Sequence, residues 1–332
     1  MTPITASAGP DPLLDVRSLV VTFKVAGGNL WKRATVHAVD GVSLQLARGE
    51  TLGLVGESGS GKSTTARAIL QLVPVNEGSI TFEGSDLASV GRDARRLVRR
   101  RAQMVFQDPF GSLNARLKIG QIIREPLDIH HIGDGASRRQ RVNELLDLVG
   151  LPADAIGRYP HEFSGGQQQR VGIARALAVE PSLIVCDEPV AALDVSIQAQ
   201  ILQLFKNIQR QTGVAYLFIA HDLNVVRHMS QRTAVMYLGK IVESSPSATV
   251  FVSPRHPYTK MLISAIPDPN PNAPHGAFDM RGEIPSPTDP PSGCRFRTRC
   301  PYAQDRCASE EPTLEPAGDD VWVACHFWRE IP

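Results

Sequence analysis

Eight consecutive residues, Gly56-Glu57-Ser58-Gly59-Ser60-Gly61-Lys62-Ser63, fit the pattern G-x-x-x-x-G-K-[ST], with Thr64 next in line. Glycines let a backbone approach a ligand because no Cβ stands in the way. Successive N–H groups at a helix start then present donors to phosphate oxygens. In such a loop Lys62 holds β- and γ-phosphates and the Ser63 hydroxyl ligates Mg²⁺. A second constellation is Leu183-Ile184-Val185-Cys186-Asp187-Glu188, an apolar strand that delivers two carboxylates at its end. Adjacent strand residues face opposite ways, so Asp187 is expected to hold Mg²⁺ through water while Glu188 polarises an attacking water. Third, Ser164-Gly165-Gly166-Gln167 opens a helix expected over Gln168–Val179, offering N–H groups and a helix dipole to an anion. Serine is also an ordinary N-cap, but that use alone leaves a second phosphate-type site unexplained.

These residues need strands and helices to aim them, and the pattern supplies both. Val16–Phe23 and Val42–Leu46 alternate apolar with polar residues, as half-buried strands do. Thr51–Val55 reads as a short strand running into the glycine loop, and Thr64–Leu72 as the helix that follows it. Leu183–Cys186 and Tyr216–Ala220 read as strands buried on both faces of a parallel sheet, with Cys186 a small hydrophobe inside. Asn143–Val149 has helical spacing in a mostly helical middle section. Fifteen of the 25 prolines fall from Pro246 onward, so the character of the chain changes there. Arg255–Ile266 reads as one helix, Pro267–Pro291 as a proline-rich connection, and a cysteine segment follows.

The 332 residues suggest about two domains. With 35 basic and 34 acidic side chains the formal charge is +1, which argues against a general nucleic-acid binder. The Arg92, Arg95, Arg96, Arg99, Arg100 and Arg101 stretch accordingly reads as a solvated helix face rather than a nucleic-acid patch. No apolar run approaches the ~18–20 residues that cross a bilayer, and Met1–Pro12 has no signal-peptide pattern, so a cytoplasmic location is expected. Cys294, Cys300, Cys307 and Cys325 follow C-x₅-C-x₆-C-x₁₇-C. In a reducing compartment clustered thiols suggest a metal site. This spacing is wide for zinc and tolerable for an iron–sulfur cluster, with no metal as the third reading.

The order of these elements resembles the ATP-binding subunit of an ABC transporter along nearly the whole chain. Phe163-Ser164-Gly165-Gly166-Gln167-Gln168-Gln169-Arg170 resembles the family signature, and Val185-Cys186-Asp187-Glu188-Pro189 its magnesium strand. Gln107 in Val105-Phe106-Gln107-Asp108-Pro109 resembles the residue that senses γ-phosphate and contacts the membrane subunit. Ala192-Leu193-Asp194 resembles the loop that crosses between monomers, and His221 in Ala220-His221-Asp222 the switch histidine. Within the family, Gln107 to Asn114, Tyr159 to Phe163, Met236 to Lys240 and His256-Pro257-Tyr258-Thr259 resemble the oligopeptide/dipeptide importer branch, and Phe163–Arg170 its F-type ATPase. Two departures stand out. Ala191 replaces a serine usual in the family, and the aromatic that stacks on adenine is not evident, with Phe23 either that residue or a core phenylalanine.

The resemblance implies an α/β P-loop NTPase fold. An ABC nucleotide-binding domain would span residues 1–252, with a helical subdomain over about 110–181, and a small cysteine-containing extension residues 253–332. It implies Glu188, His221 and Gln107 as catalytic residues and Gly56 to Thr64 as the ATP site. Ser63, Gln107 and Asp187 would serve Mg²⁺, while Ser164, Gly165, Gly166 and Gln167 act on a partner's ATP. Cys294, Cys300, Cys307 and Cys325 would hold a [4Fe–4S] cluster, since some importers of this branch carry one in the extension, or zinc. The implied partners are a second, D-type ATPase subunit, two membrane permease subunits and an extracytoplasmic substrate-binding protein, with no nucleic acid. The implied place is the cytoplasmic face of the inner membrane. Motors for nickel, sugar or drug export, and a soluble ABC ATPase, are the competing readings.

Overall fold

Leu14, Val16, Leu19 and Val21 are all buried, although the first two and the last two differ in parity along one strand. A bulge reconciles them. The strand Leu14–Ala26 pairs antiparallel with Arg33–Leu46, and its register slips between Val16 and Leu19. Ser18 sits there at φ 48° and donates its N–H to Ser43 Oγ at 2.9 Å. One extra residue moves the next side chains by one face, which keeps the apolar set inside.

The computed structural model describes residues 12–26, 33–89, 91–266 and 282–331. The chain divides into two compact units, one of Met1–Leu46, Leu52–Ala88 and Ala220–Pro332, the other of Ala47–Thr51 and Ser89–Ile219. Most of Gly27–Thr35 and of Pro267–Pro291 lies outside the described residues.

In the first unit, the bulged pair is extended by Glu77–Phe82 and Ser85–Asp86 into a four-stranded antiparallel sheet. Thr51–Val55 pairs parallel with Arg232–Tyr237. Lys240–Pro246, Val321–Val323 and Glu315–Gly318 then add antiparallel neighbours in that order. The last two come from the cysteine-bearing tail, which is therefore stitched to its unit by strand pairing. The expected helix Arg255–Ile266 is shorter, Pro257–Ser264. His256 caps it by accepting the Tyr258 N–H on Nδ1 at 3.0 Å, and Pro257 takes the first helical position, where its missing N–H is no loss.

In the second unit, Ala102–Val105, Leu183–Asp187 and Ala215–Ala220 run parallel. Leu183 to Cys186 and Ala215 to Ile219 are fully buried, as strands covered on both faces must be. Phe205, from the helix Val195–Thr212, meets Tyr216 and Phe218 edge-on with centroids 5.4 and 5.9 Å away. The helices Ile119–Ile129, Gly135–Leu148 and Gly165–Leu177 supply the helical middle section. The arginine-rich helix Arg92–Arg101 leaves Arg95, Arg96 and Arg99 exposed, while Arg101 donates to the Glu180 carbonyl at 3.0 Å. Among the described residues no helix is long and apolar enough to cross a membrane.

Candidate functional site

The buried strand Thr51–Val55 feeds the glycine loop, which turns at Gly56 (φ 153°), Gly59 (φ 79°) and Gly61 (φ 106°) before the helix Lys62–Ile69. Two of these positions have no room for a side chain. A Cβ on Gly56 would lie 2.1 Å from the Met236 carbonyl oxygen, and one on Gly61 2.1 Å from that of Ala38. Gly61 occupies the N-cap position and supplies no side-chain cap, so the first-turn donors of the helix remain for a ligand. Lys62 is buried and folds back over the loop, donating to the carbonyls of Gly56 and Glu57 at 2.8 Å each and to Ser60 Oγ at 3.4 Å. The loop is thus a cradle of N–H groups with a cation held over it, which fits the triphosphate of a nucleotide. Ser63 and Thr64 are half-buried at its rim.

Two side chains from the tail of the same unit reach this loop, and no pattern in the sequence announces them. The Tyr258 hydroxyl accepts the Glu57 N–H at 2.8 Å. Arg299 forks the Glu57 carboxylate, Nη1 to Oε2 at 2.7 Å and Nη2 to Oε1 at 3.0 Å. His221, also in this unit, is exposed directly before Asp222, which caps the helix Leu223–Met229. Phe23 is 36% exposed, so it is not a core phenylalanine.

The second unit carries the carboxylates. Asp187 ends its strand and is 5% exposed, while Glu188, one residue on, is half-buried and faces elsewhere. Glu188 has φ 48°, a left-handed conformation uncommon for a residue with a side chain, and its N–H donates to the Ile219 carbonyl at 3.0 Å. The Gln107 amide donates to Glu188 Oε2 at 3.0 Å, so residues 81 apart in sequence meet here. The buried strand thus ends in a left-handed turn that carries two carboxylates, the second of them bonded to an amide. Cys186 beside them is fully buried, and burial raises its thiol far above the usual range.

The same unit presents the glycine-led helix. It starts at Gly165 rather than Gln168, with Ser164 as N-cap accepting the Gln167 N–H at 3.4 Å and Gln167 returning an acceptor to the Ser164 N–H at 3.0 Å. Ser164 and Gln167 are exposed, and Gly165 is half-exposed. Gly166 is buried because the next helix comes close, a Cβ there lying 2.5 Å from Ile197 Cγ2. Asp194 caps that next helix, and hydrogen bonds from Ser196 and the Ile197 N–H hold its carboxyl below the usual range.

The iron–sulfur and zinc expectations do not stand. Cys294, Cys300, Cys307 and Cys325 are free thiols, and among the described residues no group of three or more His, Cys, Asp or Glu is arranged to hold a metal ion. Burial and the neighbouring cysteines push Cys294 up to about 12 and Cys300 up to about 11, and Cys325 upward as well. The tail is tied instead by backbone bonds, such as Cys294 N–H to the Cys307 carbonyl at 2.8 Å, and by its strands. His326 bonds the Glu310 carbonyl at 3.0 Å.

Comparison with known proteins agrees on the family and gives the cysteines no metal role. A family model described as "ABC transporter" matches residues 39–191, and one described as "Oligopeptide/dipeptide transporter, C-terminal region" matches residues 242–307. The chain is 48% identical over 96% of its length to a putative oligopeptide transport ATP-binding protein, YkfD, of Bacillus subtilis, and covers 96% of that protein. It is 52% identical over 91% of its length to the oligopeptide transport ATP-binding protein OppF of Salmonella typhimurium, covering 92% of it. Among solved structures, a dimeric ATP-binding cassette in a post-hydrolysis state with ADP and Pi matches at 30% identity and TM-score 0.62, over 70% of this chain and 98% of that one. The cbiO1 protein of Clostridium perfringens, part of an ABC transporter complex, matches at 26% identity and TM-score 0.64, over 74% of this chain and 92% of its own.

Proposed function

Because the chain belongs to the ATP-binding proteins of ABC transporters, we propose that it is the ATP-hydrolysing motor of an importer for oligopeptides or dipeptides. The observation that carries this reading is the phosphate cradle at Gly56–Lys62, closed to any side chain at Gly56 and Gly61, in a chain that also matches the peptide-transporter C-terminal region at residues 242–307. A motor of this kind works on membrane permease subunits fed by an extracytoplasmic substrate-binding protein, and it sits peripherally at the inner membrane.

The residues divide the work of phosphoryl transfer, which needs positioning and charge stabilisation. Lys62 leaves the Gly56 and Glu57 carbonyls for the β- and γ-phosphate oxygens, and the N–H groups at the start of the helix Lys62–Ile69 face them. Ser63, Asp187 and Gln107 would be the groups to hold Mg²⁺, which would supply charge neutralisation to the phosphates. Glu188 accepts a proton from water as the water oxygen bonds the γ-phosphorus and the bond from that phosphorus to the bridging β-phosphate oxygen breaks, so ADP and phosphate leave. Gln107, bonded to Glu188 Oε2, orients the carboxylate. His221 donates to the γ-phosphate. Ser164, Gly165, Gly166 and Gln167 cap the nucleotide of a second subunit, a role supported by the exposure of Ser164 and Gln167. The likeness of Phe163–Arg170 to an F-type ATPase supports a distinct, D-type ATPase as that subunit. The ATPase domain spans residues 1–252 with a helical subdomain at about 110–181, and residues 253–332 form the extension.

The test is Glu188→Gln, which keeps the Gln107 contact possible and removes the base. Turnover is expected to fall by about 10²-fold or more, the scale of a positioned base, with ATP affinity retained. Normal turnover in that variant removes Glu188 from its role.

A further inference from the structure

Glu57 is the second residue of the phosphate loop, and each of its polar groups is held. Its carbonyl accepts from Lys62 at 2.8 Å, its N–H goes to the Tyr258 hydroxyl at 2.8 Å, and its carboxylate is forked by Arg299. When Lys62 turns to a phosphate, the first of these holds is released. Of the holds that persist, one is local, the Ser60 N–H donating to the same carbonyl at 3.2 Å, and the two on the Glu57 N–H and carboxylate come from the tail, 201 and 242 residues further along the chain. Both anchors are themselves rigid. Tyr258 is fully buried with its ring 4.6 Å from Tyr237 and 5.4 Å from Phe296, and Tyr237 and Phe296 meet edge-on at 5.3 Å. The Arg299 side chain is 5% exposed, and its guanidinium lies 5.8 Å from the centroids of both Tyr237 and Phe296. At the loop tip, by contrast, a Cβ on Gly59 would find open space.

We propose that Tyr258 and Arg299 are positioning residues for ATP, clamping Glu57 so that the loop that follows it presents its N–H groups in one fixed arrangement. The tail thereby sets nucleotide affinity without touching the nucleotide. This rests on the reading of Gly56–Ser63 as the ATP site. The geometry divides the labour: the Glu57 N–H is consumed by Tyr258 and the Ser60 N–H by the Glu57 carbonyl, which leaves the donors at the start of the helix Lys62–Ile69 for phosphate. A bidentate arginine fork fixes two carboxylate oxygens in a plane, which a lysine does not.

The experiment measures ATP affinity by displacement of a fluorescent ATP analogue, together with KM and kcat, on the full-length chain. Tyr258→Phe keeps the buried ring and deletes the oxygen. Its ATP Kd and KM are expected to rise by about 10-fold, the scale of one buried donor left unpaired, with kcat within about twofold. Arg299→Ala is expected to weaken ATP further, Arg299→Lys to recover only part of the loss, and Glu57→Gln combined with Arg299→Ala to be no worse than Arg299→Ala alone. Arg306→Ala, which breaks an exposed ion pair with Glu310 in the same tail, is expected to bind as the parent does. Parental Kd in both Tyr258→Phe and Arg299→Ala, with only the melting temperature lowered, overturns the proposal. So does a fall in kcat at unchanged KM. Lys62→Ala separates the two readings: a parent chain that binds ATP no better than Lys62→Ala refutes the ATP site itself, whatever the tail variants do.

Discussion

Acid should unpick the tail at one imidazole. His256 is 1% exposed, and its Nδ1 accepts the Tyr258 N–H, so the ring is neutral with its proton on Nε2. Burial pushes its pKa from 6.5 down to about 3. Between those values the unfolded chain binds a proton that the folded chain refuses. The stability is therefore fully present above pH 6.5 and drains away as pH falls toward 3. At 1.36 kcal/mol per pH unit, lowering pH from 7 to 4.5 removes roughly 2–3 kcal/mol through this one group. Glu243 lies against the same turn, accepting the N–H groups of Arg255 and His256 at 2.9 and 2.8 Å. Burial raises its carboxyl while Thr259 and those N–H groups pull it back, so its slope has the opposite sign. His256→Asn isolates the imidazole, because asparagine caps the Tyr258 N–H as well and leaves Glu243 in place. Urea unfolding at pH 7.0 and 4.5, followed by fluorescence of Trp322 and Trp328 in the tail, gives the comparison. The gap in stability between parent and variant is expected to close by roughly 2–3 kcal/mol at the lower pH. A gap independent of pH refutes the reasoning.

Gly61→Ala places a Cβ 2.1 Å from the Ala38 carbonyl at a φ of 106°, so nucleotide binding is expected to drop below detection in a titration that readily saturates the parent. Phe205→Ala removes a fully buried ring wedged against Tyr216 and Phe218, and is expected to destabilise by about 3–5 kcal/mol in urea melts.

What the sequence made legible was what is local. The phosphate loop is contiguous, and its glycines, lysine and serine read directly as a cradle. The strand Leu183–Asp187 was evident because a fully apolar run ending in two carboxylates has few other uses. The helix opening at Ser164 was read three residues late, because two glycines resemble loop even where the capping box has already begun the helix. The bulge at Ser18 hid inside an alternating pattern, since one slipped residue restores the same alternation on the other face. Contacts between distant segments left no trace. The string His256-Pro257-Tyr258-Thr259 was read as a family likeness, and its physical content is a cap, a first-turn proline and a hydroxyl aimed at Glu57. The cysteines failed for a related reason. All four cysteines line one small pocket, yet among the described residues no three are arranged to hold a metal ion, and spacing along the chain does not report that geometry. Phe23 reads as apolar in the sequence but stands partly in solvent on its strand.

The anchoring of Glu57 by residues so far downstream has a consequence for synthesis. On a ribosome adding roughly 5–20 residues per second, the glycine loop emerges about 10–50 s before Arg299 does. Throughout that interval a nascent chain carries a phosphate loop without its side-chain tethers. A product cut short before residue 258 never gains either one. If the tail sets nucleotide affinity as proposed, competence for nucleotide follows translation reaching the tail, and copies cut short before it compete poorly for ATP.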